Sequence, residues 1–585
     1  MIQFNIEKFT LIQYNKEQYV MEKQNRMLAA AVVLSLLGGI FSQDAPYKLG
    51  VWQFLVITVL VVSCNLFLYI RRAEWERRRN VMRYSGMGFF TMGLMQGICV
   101  LRQMEYVDDR MRTGLGITVM VILLGAFLLL LRAEKGVTEN VIMTVIFAGF
   151  LARIFYVMMT DALLFQNDIT AFHLDCQGHL GYICHLYTNG RLPDVNPMTA
   201  FEFCQPPLYY AVSALFLRLY GVFGLLPESA WDMDEILQLL PMMYSMMTLV
   251  FIDKLGKRMR LSQEGRLAAV CFAGFLPYGI MSGGALNNDT LVTLLMVMSI
   301  YYTLRWFEKP DVKGIAVMAV CIGAAMMTKL SAAVIAPAMA GLMAYRAWID
   351  RKEWKVYLKQ FLCFGVISLP LGLWYSIYCA VRYRMPIGYV VFFGGDEPQY
   401  IGMYDKWSRL FGFERAFEYL AIRDDHISGF ADYNIPVSLV KFATFGDSQY
   451  YLGSELTSVA GTCIFWINAV LFLLMPLSAI VWCLCRDARR SDKILMLSAA
   501  ALSSCFYVKF CLQYAHVCSM NIRYIMCAVY LGCIVLATAA AELQKRAALK
   551  NAALGKGCKR FMTAVPVLYA VAAATLITGM EMLLF

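Results

Sequence analysis

Apolar runs long enough to cross a bilayer recur along most of this sequence, separated by short connectors rich in lysine and arginine. A hydrocarbon core about 30 Å thick needs about 17 to 25 helical residues. Such runs stand near 27–43, 51–70, 86–102, 115–132 and 141–160. Others stand near 236–253, 266–286, 289–306, 313–328, 330–347, 358–380, 462–485, 494–512, 520–541 and 562–584. Inside lipid a backbone must bond to itself, so isolated apolar runs of this length are helices. The expected fold class is an all-α polytopic membrane protein with fifteen crossings. Composition agrees: 60% of the 585 residues are hydrophobic and only 16% charged. The mean hydropathy of +0.57 is out of reach of a soluble globule with a polar surface.

The net charge of +11 does not point to nucleic acid, because the basic residues come in clusters between apolar runs. That distribution sets membrane orientation. Arg71, Arg72, Arg77, Arg78, Arg79 and Arg83 form the strongest cluster and are expected inside. Five crossings then put the loop beginning at Asp161 outside, and the basic connectors at 254–266, 346–359, 486–493 and 545–560 inside. The alternation holds only if PPLYYAVSALFLRLYG, which opens on Pro206 and Pro207, lies on the surface or re-enters. No cleavable signal peptide is evident at the N-terminus. The 18 cysteines show no zinc-type spacing, and most fall in apolar runs.

The loop from Asp161 to Tyr210 is where chemistry is expected. It holds Asp161, Asp168, Asp175, Asp194 and Glu202 against the single Arg191, with His173, His179 and His185, three of the five histidines. A helix over 175–188 would place Asp175, His179 and Tyr182 on one face. The i, i+4 pair Asp175 and His179 would suit a divalent cation. Three later features collect on the same outer side: Asn287, Asn288 and Asp289 in GGALNNDTL, Lys329 in MMTKLSAAV, and Arg523 in CSMNIRYIM. A carboxylate can take a proton from an attacking hydroxyl, and cations can stabilise a departing phosphate. No GxxxxGK[ST] loop is present, so nucleotide hydrolysis has no visible apparatus.

An acid soon after a span, then YTNGRLPD and QPPLYY, then LPYGIMSGGALNNDTL, TKLSA and SMNIRY, resembles the GT-C glycosyltransferases that use polyprenyl-phosphate sugars. The chain is similar to their bacterial family-39 branch, related to protein O-mannosyltransferases and the aminoarabinose transferases of lipid A. The likeness covers roughly Val141 to Ala541. It implies a GT-C-like helix bundle with outer-face loops and interfacial helices. Asp175 would be the base on the acceptor hydroxyl and Asp289 the second catalytic acid. Lys329 and Arg523 would bind donor phosphate, and Gln205, Pro206 and Pro207 would shape the pocket beside it. His179, Tyr182, Tyr209, Asn288 and Tyr524 would complete the substrate contacts. Two departures stand out: Cys176 follows Asp175 where many relatives carry a second acid, and Cys204–Gln205 stands where relatives have Glu-Lys.

The organisation expected is an N-terminal four-span extension over 1–140 and a catalytic core over 141–380 with its outer loop at 161–206. A large outer loop over 381–461 follows, then C-terminal spans over 462–585. The function expected is inverting transfer of one sugar from polyprenyl phosphate to a glycan, lipid or protein hydroxyl outside the plasma membrane. A transporter or flippase would carry several mid-span charges and inverted repeats, neither of which is evident. A glycan polymerase or ligase would use the same broad chemistry on a diphosphate-linked donor.

Overall fold

The computed structural model describes residues 137–160, 162–163, 168–222, 230–391, 399–413, 433–446, 455–485 and 489–581. The four spans expected before residue 133 lie outside these residues. The regular elements among the described residues are helices: α1 (Val137–Met159), α2 (Gly178–Asn189), α3 (Leu208–Val222), α4 (Ala230–Leu237), α5 (Leu239–Arg258), α6 (Gln263–Gly274), α7 (Pro277–Met281), α8 (Asp289–Glu308) and α9 (Val312–Thr328). There follow α10 (Ala336–Ile349), α11 (Trp354–Tyr383), α12 (Lys406–Phe411), α13 (Ile435–Phe445), α14 (Glu455–Leu484), α15 (Arg490–Gln513), α16 (Met526–Lys550) and α17 (Ala552–Glu581). Eight helices among the described residues are long and apolar enough to cross a membrane, against eleven runs expected there: 141–160 and 313–328 give shorter apolar helices, and 266–286 is bent. The protein is a multi-pass membrane protein.

Two helices organise the packing. On one side α8 lies against α5 and α9, and α9 against α11; on the other α16 lies against α6, α14 and α17. PPLYYAVSALFLRLYG forms the short α3 and does not reach the length of a span. In the segment 381–461, α13 packs into the main core through Ile435, Val437 and Phe445.

One expected span, 266–286, is broken. Residues Gln263–Gly274 and Pro277–Gly284 meet at 68°, because Pro277 cannot donate to the turn before it. The break frees carbonyls inside the bundle, where an unpaired one is costly. Arg153 Nη1 donates to Gly274 O at 2.9 Å and to Gly149 O at 2.9 Å. Ser245 Oγ donates to Gly279 O at 2.9 Å and accepts from Arg153 Nε at 2.7 Å. Arg153 is a buried mid-helix charge outside every motif of the sequence, and here it holds a kink.

The far end of α8 carries a second set of charges. Glu308 pairs with Arg258 and with Arg489, both at 2.5 Å. Nearby, Arg266 binds Glu139 at 2.6 Å and Asp253 at 2.7 Å, and Lys257 reaches the same two acids at 2.9 and 3.0 Å. These are the basic connectors expected on one membrane side, and α8, 20 residues long, separates them from Asp289 by about 30 Å. Removing one member of a buried network strands the others. Arg266→Met should therefore destabilise the protein by about 3–5 kcal/mol, measured by unfolding in mixed micelles. Arg266→Met with Asp253→Asn should lose less.

Candidate active site at one end of the bundle

The loop before α2 is fixed by that helix's own needs. The first N–H groups of a helix have no partner inside it. In α2, Gly178 N donates to Phe201 O at 3.0 Å, His179 N to Asp168 O at 2.9 Å and Leu180 N to Ile169 O at 3.1 Å. Gly178 has φ +76, and a Cβ there would lie 2.7 Å from Asp168 O. Only glycine tolerates both the left-handed backbone and that approach. Asp168 and Glu202 themselves hold left-handed φ values of 67 and 64.

This start corrects the helix expected over 175–188. Asp175 precedes Gly178 and is off the helix face that carries His179. Its side chain is 94% exposed, and it faces His173 at 3.7 Å. Asp168 stands in the cluster instead. Its Oδ2 accepts from Arg523 Nη2 at 3.0 Å. Lys329 Nζ donates to Asp289 Oδ1 at 2.5 Å, and Arg523 Nε lies 3.9 Å from Asp289 Oδ2. Four side chains from four separate segments thus meet at one end of the bundle.

Local structure delivers each of them. Lys329 leaves the end of α9 in extended conformation, φ −156, so its side chain turns away from the helix axis. Asn288 Nδ2 donates to Thr328 O at 3.1 Å and fastens the start of α8 to the end of α9. Arg523 lies in a short 3₁₀ turn, Ile522–Tyr524, ahead of α16, with Asn521 capping its N–H at 2.8 Å. The span expected from 520 therefore begins at Met526. The Tyr524 ring lies under both cations, 4.8 Å from Lys329 and 5.0 Å from Arg523, and its hydroxyl accepts from Arg523 at 3.0 Å.

Behind the acids is an aromatic wall. His179 Nδ1 and Tyr210 OH are 2.9 Å apart, and Tyr182 stacks on Tyr210 at 4.2 Å. Tyr375 OH donates to Phe203 O at 2.7 Å and accepts from Tyr182 OH at 3.4 Å. Tyr210, rather than the expected Tyr209, is the tyrosine that touches the cluster; Tyr209 is buried edge-on against it. Gln205 N donates to Glu202 O at 3.1 Å, and Pro206 and Pro207 are buried ahead of α3. They shape the loop that carries Glu202.

Burial would raise the Asp168 carboxyl pKa, but Arg523, with His179 and Lys329, outweighs it and holds the group below its ordinary 3.8. Burial lowers His179 below 6.5 against the pull of Glu202, Asp168 and Asp289, leaving a neutral ring at pH 7. The donors of Asp168, His179 and Glu202 all lie within 4.8 Å of one another, and among the described residues this is the group that could hold a divalent cation. Glu202, unlike Asp175, is the acid that faces His179, at 4.0 Å from Nε2. Burial pushes the Cys204 thiol up to about 12, so it is protonated at pH 7.

A carboxylate beside two cations at the mouth of a membrane bundle can accept a proton while the cations hold an anion. Residues 205–374 match the family model described as dolichyl-phosphate-mannose-protein mannosyltransferase. That match spans 170 of the 585 residues. Two crystal structures of ArnT from Cupriavidus metallidurans, one bound to undecaprenyl phosphate and one in the apo state, are each 14% identical to this chain. The first covers 74% of this chain and 76% of its own with a TM-score of 0.33, the second 74% and 79% with 0.30. No curated protein sequence matches the chain.

Gly178→Ala should show how far the site depends on one missing Cβ. The left-handed backbone alone costs a side chain about 1–2 kcal/mol, and the clash with Asp168 O adds to it. Thermal unfolding should register the loss, and Gly178→Asn should not restore it, because asparagine tolerates the backbone but keeps the clash.

Proposed function

We propose that this protein moves one sugar from a polyprenyl-phosphate donor to an acceptor hydroxyl at the extracytoplasmic face of the plasma membrane, with inversion. The observation that carries the reading is the shared cluster of Asp168, Asp289, Lys329 and Arg523, opposite the basic connectors that favour the inner side. The dolichyl-phosphate-mannose family model over 205–374 supports the donor class.

In this reading Lys329 and Arg523 exchange part of their pairing with the acids for the donor phosphate. Asp168 takes the role that the sequence assigned to Asp175. The acceptor O–H gives its proton to the Asp168 carboxylate while its oxygen attacks the anomeric carbon from the face opposite the phosphate. The bond from that carbon to the phosphate oxygen breaks with its electron pair, and polyprenyl phosphate leaves. Lys329 and Arg523 meet the charge that grows on the leaving oxygen, in a setting where burial strengthens the interaction. Asp289 holds both cations in place.

With lipid-linked sugar and purified protein, Asp168→Asn should lower turnover by about 10²- to 10⁴-fold, the usual worth of a general base. Asp175→Asn should stay within about twofold, the range of an exposed side chain away from chemistry. The reverse pattern would return the base to Asp175. The pH profile gives a second check. A carboxylate base is lost as pH falls through its own pKa, so the midpoint of the acid limb of kcat/KM should lie below the ordinary 3.8. Arg523→Gln should move that acid limb upward.

A further inference from the structure

Directly behind Asp289 and Arg523, on the side towards the middle of α8, lies a cavity of about 20 Å³. That is room for one or two water-sized groups. Its walls combine Tyr278, Met526 and Tyr530 with short hydroxyl side chains, among them Thr290 and Thr293 of α8, Ser245 of α5 and Ser282 after α7. Two of these hydroxyls are already used, since Ser245 and Ser282 both donate to Gly279 O, at 2.9 and 3.3 Å. Thr290 is not: its buried Oγ1 has no hydrogen-bond partner. Buried polar atoms in native proteins are nearly always satisfied, so an orphan on a cavity wall marks a place where something polar binds.

The cavity shares Arg523 and Asp289 with the cation cluster. The cavity thus adjoins the place that a donor phosphate on Arg523 would take. The charge of the lining restricts what can enter. Asp289 is already bound by Lys329 at 2.5 Å and has Arg523 at 3.9 Å, so it has no negative charge to spare for an ammonium group. A carboxylate would meet the same Asp289. What remains is a small neutral group with a hydroxyl.

Building on the glycosyl-transfer reading, we propose that this cavity receives the exocyclic hydroxymethyl group of the donor, and so selects polyprenyl-phosphate hexoses over pentoses and over charged sugars. Thr290 bonds the hydroxyl and Thr293 sets the depth. Selection rests on a pocket of fixed size with one unmet hydrogen bond: a pentose leaves both the space and Thr290 unfilled.

The test compares kcat/KM for a polyprenyl-phosphate hexose and for the matching pentose that lacks only the hydroxymethyl group. The wild-type protein should favour the hexose by about 10- to 100-fold, the range one small group commands in a pocket. Thr290→Val keeps the shape and removes the hydroxyl, and Thr293→Leu fills the space; each should cut that ratio at least tenfold. Retained binding of polyprenyl phosphate alone establishes that the variants are folded. A wild-type ratio near one, or a ratio unmoved by both variants, overturns the cavity assignment and leaves the transferase reading standing. Transfer from neither donor overturns both.

Discussion

Everything at the active end depends on how two cations are held at the edge of a bundle that faces lipid. Lys329 and Arg523 are both nearly buried, and burial of an unpaired ion costs several kcal/mol. Asp289 and Asp168 offset that cost, with Tyr524 lying flat beneath both cations. The acids come from the loop before α2 and from the first turn of α8; the cations come from the end of α9 and the turn before α16. None of the four segments can place its charge alone. Assembly of the bundle and assembly of the site are one event.

The frame that holds these segments is itself polar where the chain departs from straight helices. The bend after Gly274 brings the chain back to the start of α8, and Arg153 with Ser245 satisfies the carbonyls that the bend releases. Asn288 then straps α8 to the last turn of α9, so Asp289 and Lys329 move together. At the opposite end, Glu308, Arg258 and Arg489 tie α8 to its neighbours. A helix fixed at both ends can present a carboxylate with little reorganisation, which is what electrostatic stabilisation of a transition state requires.

The spans, Asp289, Lys329 and Arg523 could be read in the sequence because a lone charge at the end of an apolar run is costly to keep unless it serves a site. The bend was hidden: Pro277 lies in a run whose hydropathy is continuous from 266 to 286, and hydropathy says nothing of direction. Asp168 was hidden for a local reason. The spacing of Asp175 and His179 looks helical, yet the helix begins only at Gly178, whose positive φ ends the register between them. That glycine was itself the available signal, since glycine ahead of a polar helix start often marks a backbone that other residues avoid. Tyr210 and Tyr209 could not be separated without knowing which side of α3 faces His179.

In the resting protein acids already pair both cations, so a donor phosphate would have to displace part of that pairing. In the proposed transfer Lys329 and Arg523 together receive a lipid-linked phosphate. The most direct measurement is the affinity of the protein in nanodiscs for polyprenyl phosphate alone, with and without these side chains. Lys329→Met and Arg523→Gln should each weaken binding at least about tenfold, the worth of one charge-assisted contact. Binding that both variants keep at the wild-type level would contradict the account.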